Sequence, residues 1–243
     1  SALQTNSTGV DNTAVGRNAL INSTASENTA VGSCALRTNT TGSRNTAYGK
    51  DSLKANTTGV NNTSSGYNSM GLNTEGTRNS AYGYSALGSN TTGTNNVAVG
   101  LSALAANTTA SNNTALGFDS LKANTTGACN VAVGQTALST ATTASYNTAV
   151  GMRAMLNTTT GNKNVAVGTS TMQCNTTGSA NTAVGGMDSN AFPTMFANTT
   201  GSNNTAIGNS TLICNTTASN NTALGSSSLK ANTTGATNTA VGQ

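Results

Sequence analysis

The chain has 243 residues, of which only 7% are charged and 3% aromatic; it contains no Trp or His and carries a formal net charge of +4. Asn, Thr, Ala, Gly and Ser supply most of the rest, which leaves too little bulky apolar matter for the thick core of an ordinary globular domain. A low net charge and a single proline, Pro193, also set it apart from disordered chains, which combine low hydrophobicity with high charge and abundant Pro. Its backbone polar groups are therefore expected to be satisfied by periodic hydrogen bonding between stacked copies of one unit.

In chain order, Ser1-Ala2-Leu3 opens in mid-motif with neither an initiator Met nor a signal peptide, which predicts a mature or excised portion of something longer. An N-T-A-V-G-like pentapeptide then recurs along the whole chain. Its glycines are Gly16, Gly32, Gly49, Gly66, Gly83, Gly100, Gly117, Gly134, Gly151, Gly168, Gly185, Gly208, Gly225 and Gly242. Eleven of the thirteen intervals are 17 residues, one is 16 and one is 23, and the consensus is N-T-A-V-G-x-x-A-L-x-x-N-T-T-G-x-x. The short interval is read as losing a residue between Leu20 and Asn22. The long one is read as a six-residue insertion between Gly185 and Thr194, after which Thr194-Met195 resumes the A-L position. A protruding loop is expected at 186–193, because extra residues in a stacked coil can leave only at a corner. At the other end, Gly242-Gln243 reads into Ser1-Ala2-Leu3 as G-Q-S-A-L, the pattern also seen at Gly134–Leu138, so the expectation is either a window on a longer array or copies that stack head to tail in register.

Each unit carries three short β-compatible stretches separated by Gly and polar corners. In the first, Thr or Val three residues before the Gly shares a face with Val, Leu, Ile or Tyr one before it, and Ala lies on the other. The second supplies a Leu or Met four after the Gly, as at Leu36, Leu104 and Met172, and the third is N-T-T. Two large apolar groups per turn predict a thin coil. The small Ala face would admit close packing of a second chain or of another face of the same coil. Charges fall in solvent-facing columns: Arg37, Lys54, Lys122 and Lys230 five residues after a repeat Gly, and Arg44, Arg78 and Lys163 twelve after. The fold class is thus expected to be all-β, a parallel β-solenoid (β-roll or β-helix) of about 14 coils with 17 residues per coil, forming one array over 1–243.

Two asparagine columns stand out. The Asn that opens the pentapeptide is present in every copy: Asn12, Asn28, Asn45, Asn62, Asn79, Asn96, Asn113, Asn130, Asn147, Asn164, Asn181, Asn204, Asn221 and Asn238. It predicts a stacking ladder of amides at a corner, with a polar-ligand role as the alternative. The N-T-T segment gives N-x-T at Asn6, Asn22, Asn39, Asn56, Asn90, Asn107, Asn124, Asn157, Asn175, Asn198, Asn215 and Asn232. These are candidate glycan acceptors, with attachment to the neighbouring Thr as a variant; the plainer reading is a solvent-facing polar ladder.

Repeats such as Asn28-Thr29-Ala30-Val31-Gly32, Asn96-Val97-Ala98-Val99-Gly100 and Asn204-Thr205-Ala206-Ile207-Gly208 resemble the N-S-V-A-I-G repeats of trimeric autotransporter adhesin heads. The full unit, G-Q-T-A-L followed by N-T-T-G-x-N-N-T-A-V-G, resembles repeats of bacterial and phage tail-fibre-like proteins, and the likeness covers essentially the whole chain. It implies a β-roll or shaft in an extracellular fibre. The unit here is longer than the adhesin-head repeat by an N-T-T-G segment.

Other chemistries find little in the sequence. With no His and with Asp11, Glu27, Asp51, Glu75, Asp119 and Asp188 scattered, no nucleophile–base pair is visible, and an enzyme is not expected. No cofactor is expected. The four Cys fit no zinc pattern, and the calcium-binding G-G-x-G-x-D nonapeptide is absent. Cys174 and Cys214 share a column two coils apart, too far to bridge at a strand spacing of about 4.8 Å per coil. Ice binding is disfavoured because the two Thr of N-T-T are consecutive and point to opposite faces. Nucleic-acid binding is disfavoured because ten basic residues are spread over several columns without aromatic partners. No run of about 18 apolar residues predicts a membrane span. The function expected is a structural segment of an extracellular, cell-surface or virion-tail fibre, stacking end to end and, in a lateral variant, as a homotrimer. The alternative is the stalk of an adhesin or tail fibre whose binding tip lies outside this chain.

Overall fold

The computed structural model describes residues 1–186 and 192–242, which fall into two compact units, Ser1–Asp119 and Ser120–Gln243. Both are built from the same coil, and the fold is all-β, a parallel β-solenoid with one three-residue strand per repeat. In the first unit β1 (Thr13–Val15), β2 (Thr29–Val31), β3 (Thr46–Tyr48), β4 (Thr63–Ser65), β5 (Ser80–Tyr82), β6 (Val97–Val99) and β7 (Thr114–Leu116) follow one another in chain order. In the second, β8 (Val131–Val133), β9 (Thr148–Val150), β10 (Val165–Val167), β11 (Thr182–Val184), β12 (Thr205–Ile207), β13 (Thr222–Leu224) and β14 (Thr239–Val241) do the same. Equivalent residues pair directly: Ala30 lies beside Ala47, and Ala149 beside Ala166.

The parity of the strand decides what is buried. Alternate side chains point to opposite faces, so the opening Asn and the Ala two residues later project together. That shared side is the interior: Asn45 and Ala47, Asn96 and Ala98, and Asn164 and Ala166 are all fully buried. The Ala face is therefore packed against the rest of its own coil, while Thr and Val face outward. Opposite the strand, Leu36, Leu53, Met70, Leu87, Leu104, Leu121, Leu138, Met155, Met172, Met195 and Leu212 fill the centre with no exposure. From Leu20 to Met195 each coil thus buries one large apolar side chain and not two, because the second, Val or its equivalent, sits on the outer face; one coil further on, Ile213 is buried beside Leu212.

Only the first of the three β-compatible stretches forms strands. The Leu and N-T-T stretches run through turns instead, yet still bond from coil to coil: the Leu36 N–H donates to the Ser52 carbonyl at 3.1 Å and the Thr40 N–H to the Thr57 carbonyl at 3.0 Å. The reason is backbone conformation. Residues two, four and twelve after the Gly take left-handed φ values, as at Asp51 (59°), Leu53 (48°) and Asn61 (58°), which breaks any extended run. Asp and Asn tolerate this region better than other residues, whereas for Leu it costs about 1–2 kcal/mol. Full burial of the Leu53 side chain contributes about 1.5–3 kcal/mol, enough to offset that strain. The repeat glycine turns the chain at a φ no other residue adopts readily: a Cβ on Gly49 (φ +120°) would lie 2.6 Å from the Gly66 carbonyl oxygen.

Both irregular intervals are accommodated at corners, one of them not where the motif suggests. Leu20 and Ile21 keep their usual places: Leu20 N–H donates to Ala35 O, and Ile21 O accepts from Thr5. Ser23 takes the position held by Asn39 in the next coil, and Thr24 donates to Thr40 O as Thr40 does to Thr57 O. The missing residue is therefore the second Thr of N-T-T, between Thr24 and Ala25, not one between Leu20 and Asn22. At the long interval, Thr194 and Met195 return to the buried A-L position, and the Thr194 hydroxyl donates to Gly208 O at 2.7 Å, as Thr171 does to Gly185 O at 2.6 Å. Of the loop expected at 186–193, residues 187–191 lie outside the described residues; Phe192 is exposed and Pro193 buried.

Candidate functional site

What recurs from coil to coil is a pair of internal amide files. In the first, the backbone N–H of each opening Asn donates to the side-chain oxygen of its predecessor: Asn45 to Asn28 Oδ1 at 3.0 Å, Asn96 to Asn79 at 2.9 Å, and Asn164 to Asn147 at 2.9 Å. Its side-chain Nδ2 donates across to the next coil's Gly or Ala carbonyl, as from Asn62 to Gly76 O and from Asn204 to Ala218 O, both at 2.8 Å. The asparagines from Asn28 to Asn221 are buried, and Asn12 and Asn238 half-buried. The position needs a short side chain with one acceptor and one donor on an sp² carbon, and only Asn offers that geometry.

The second file lies seven residues after the Gly, and it corrects the reading of N-T-T as a solvent-facing ladder. Asn39, Asn56, Asn90, Asn107, Asn124, Asn175, Asn198 and Asn215 are fully buried. Asn56 Nδ2 donates to Asn39 Oδ1 at 2.8 Å, Asn90 to Asn73 at 2.7 Å and Asn107 to Asn90 at 2.9 Å; each also closes its own turn by donating to the carbonyl three residues on. These eight nitrogens point into the coil and have no room for a glycan. Asn6 and Asn232 are half-buried at its two extremes. Asn22 and Asn157 are exposed for a different reason: each stands one position early, and Ser23 and Thr158 take the buried place beside it. Asn175 Nδ2 accordingly donates to Thr158 Oγ1, at 3.3 Å.

The N-x-T pattern hid two features of this file. Asn73 belongs to it, donating to Asn56 Oδ1 at 2.8 Å, although Glu75 destroys the motif around it. Thr158 belongs to it although it is not Asn. Counting seven residues from each glycine, in place of matching the motif, finds both.

The two threonines that follow have different fates. The first is tied down: Thr57 Oγ1 donates to Thr74 O at 3.0 Å, and Thr91 to Thr108 O at 3.1 Å. The second faces water. The outer sheet face is also open, and in the first unit it shows Tyr48, Tyr82, Val97 and Leu116 beside rows of Thr; at the corner after the glycine Tyr67, Tyr84, Leu101 and Phe118 are exposed as well. Tyr67 and Tyr84 stack with ring centroids 5.3 Å apart, and Lys50 Nζ lies 5.6 Å from the Tyr67 centroid. The charged columns lie on the surface. Arg44 Nε meets Glu27 Oε2 at 2.6 Å, one coil away, and Lys54 Nζ meets Asp51 at 3.2 Å.

Cys34, Cys129, Cys174 and Cys214 are free thiols. Partial burial pushes the Cys174 thiol pKa up by desolvation. Among the described residues no group of three or more His, Cys, Asp or Glu is placed to hold a metal ion, and no helix is long and apolar enough to cross a membrane. No protein-family model, curated protein or solved structure matches the chain.

Proposed function

We propose that the chain is a structural segment of an extracellular fibre in which copies associate end to end, and that its working parts are the stacking positions and not a pocket. The observation that carries this reading is translational: in both units successive coils offer one another the same backbone donors and acceptors and the same first amide file, and most of them the second, which Ser23, Ala141 and Thr158 interrupt. A surface that bonds to a copy of itself one coil away is equally fitted to bond to another chain's coil. The resemblance to tail-fibre shafts and adhesin-head repeats points the same way.

The uncovered sheet face supports side-by-side association as a second element of the same reading. Parallel sheets are generally covered on both faces, yet here Tyr48, Tyr82 and Leu116 are 47%, 45% and 46% exposed. A second copy presenting the same uncharged face would cover them. Electron microscopy of the native, full-length protein tests the proposal. Filaments with an axial repeat near the strand spacing of about 4.8 Å are expected. Discrete particles that never lengthen with concentration would overturn end-to-end assembly, and a finite stalk ending in a knob would assign the protein to the adhesin or tail-fibre class.

A further inference from the structure

We infer that the exposed second threonine of N-T-T is an O-linked glycan acceptor, and that the rows of these hydroxyls, Thr41 to Thr109 in the first unit and Thr126 to Thr234 in the second, are built modification sites. The fourteen copies act as a substitution series on one backbone. Where a side chain lies at the surface its identity drifts, even where it meets its neighbour as Arg44 meets Glu27: the position twelve after the Gly holds Glu27, Arg44, Asn112, Tyr146 and Lys163 in different coils. The position nine after the Gly is equally exposed, at Thr41, Thr58, Thr92, Thr109, Thr126 and Thr143 and onward to Thr234. It does not drift. It is Thr in twelve copies, Glu in one, and missing from the shortened coil.

The fold does not require that uniformity. The backbone N–H of Thr58 donates to the Thr74 carbonyl at 3.2 Å, and Glu75 makes the equivalent bond to Thr91 at 3.0 Å without a hydroxyl. From Thr41 onward the coil-to-coil hydroxyl bonds of this turn come from the preceding Thr, as from Thr57 and Thr91, whereas in the first coil Thr8 itself donates to Thr24 O at 3.3 Å. What the repeats keep is therefore an exposed secondary alcohol once per coil, which is the group an O-glycosyltransferase uses. The neighbouring amides are excluded as acceptors along most of these rows, because Asn56, Asn90 and Asn107 are buried.

The class of modifier follows from charge and spacing. A surface with 7% charged residues and an open sheet face lacks the hydration that charge ordinarily supplies. Neutral sugars would supply it. Phosphates at coil spacing would instead set dianions beside one another. At about 4.8 Å per coil there is room for short linear glycans and not for branched ones. In the transfer, Thr Oγ1 attacks the anomeric carbon of a nucleotide-activated sugar. The Oγ1–C1 bond forms as the C1–O bond to phosphate breaks, the nucleoside diphosphate leaves, and the hydroxyl proton passes to the transferase.

The test is site-resolved mass spectrometry of the full chain purified from the cells that naturally make it, with Thr92→Val and Thr91→Val variants made in the same cells. Hexose-class increments are expected on Thr58, Thr92 and Thr109, released by alkaline β-elimination. Thr92→Val should remove one increment, and Thr91→Val should leave the total unchanged. Bare threonines at this position, or sugars on Asn or on the preceding Thr, would overturn the inference. A bare chain that still forms filaments would sink the glycan site alone; a glycosylated chain that forms none would sink the fibre.

Discussion

Replacing Asn90 by Ala tests whether the inner amide file carries stability. The Asn90 amide donates to Asn73 Oδ1 (2.7 Å) and Gly93 O (3.1 Å), and its oxygen accepts from Asn107 Nδ2 (2.9 Å), all in a fully buried setting. After truncation Asn107 Nδ2 keeps its bond to Ala110 O at 3.0 Å and Gly93 O keeps the bond from Asn79 Nδ2 at 2.8 Å, so the loss concentrates on one buried acceptor, Asn73 Oδ1. At about 1–3 kcal/mol for a buried group left unsatisfied, the expected cost is about 1–3 kcal/mol. Because an array need not unfold in one step, the appropriate readout is local. Native-state hydrogen exchange at the Asn90 and Asn107 amides should quicken by about fivefold or more, at tenfold per 1.4 kcal/mol. Thr92→Ala in the same turn removes an exposed side chain and should change exchange by less than threefold, within about 0.5 kcal/mol. Equal effects from the two substitutions, or none from either, would refute the assignment of stability to the amide file.

Three other outcomes follow from the same geometry. Leu104→Ala, in the fully buried central column, should lose about 2–5 kcal/mol, whereas Met70→Leu should lose less than about 1.5 kcal/mol, both measured by denaturant titration. Gly49→Ala should destabilise by about 3 kcal/mol or more, since φ is +120° and the Cβ meets Gly66 O at 2.6 Å; a neutral result in the same titration would contradict the described turn. For the thiols, exposed Cys214 should react with a maleimide faster than buried Cys34 or part-buried Cys174. Burial raises the Cys174 pKa, so its thiolate forms only at higher pH, and its labelling rate should go on rising above the pH at which that of a free small-molecule thiol levels off.

The period was legible because the glycine is irreplaceable: at Gly49 or Gly168 only a residue without Cβ can hold the turn, so the sequence shows it in every copy. The inside and outside of the strand were harder to read. Size suggests that Val167 belongs inside and Ala166 outside, but the coil is so thin that Met172 already fills the space opposite the sheet. The clue was parity. Asn164 and Ala166 are two residues apart and share a face, and an Asn that never varies belongs to a place where its amide is enclosed. The sequon pattern misled for the opposite reason, since it tracks a tripeptide and the structure tracks a position. Asn157 matches the tripeptide and is exposed; Asn73 fails it and is buried.

The enclosed amides also determine which alignments between coils are degenerate. A slip of one residue would turn Thr46 and Tyr48 inward against a centre sized for Asn45 and Ala47, and would expose amides that now hold bonds of 2.8–3.0 Å. A slip of one whole repeat changes almost nothing: Asn meets Asn, Ala meets Ala, and the main loss is of surface pairs such as Arg44–Glu27, worth about 0–1 kcal/mol. Residue-level register is therefore strongly specified and repeat-level register weakly so. What distinguishes one repeat alignment from another is a few buried departures: Ser23, Ala141 and Thr158 in the second file, Met for Leu in the central column, and the Ser52–Ser64 hydroxyl pair. For a monomeric fold that degeneracy is a hazard, because chains can pair out of step. For a segment that must accept another copy at its edge it is the required property, and this is why the uniformity of the coil argues for assembly.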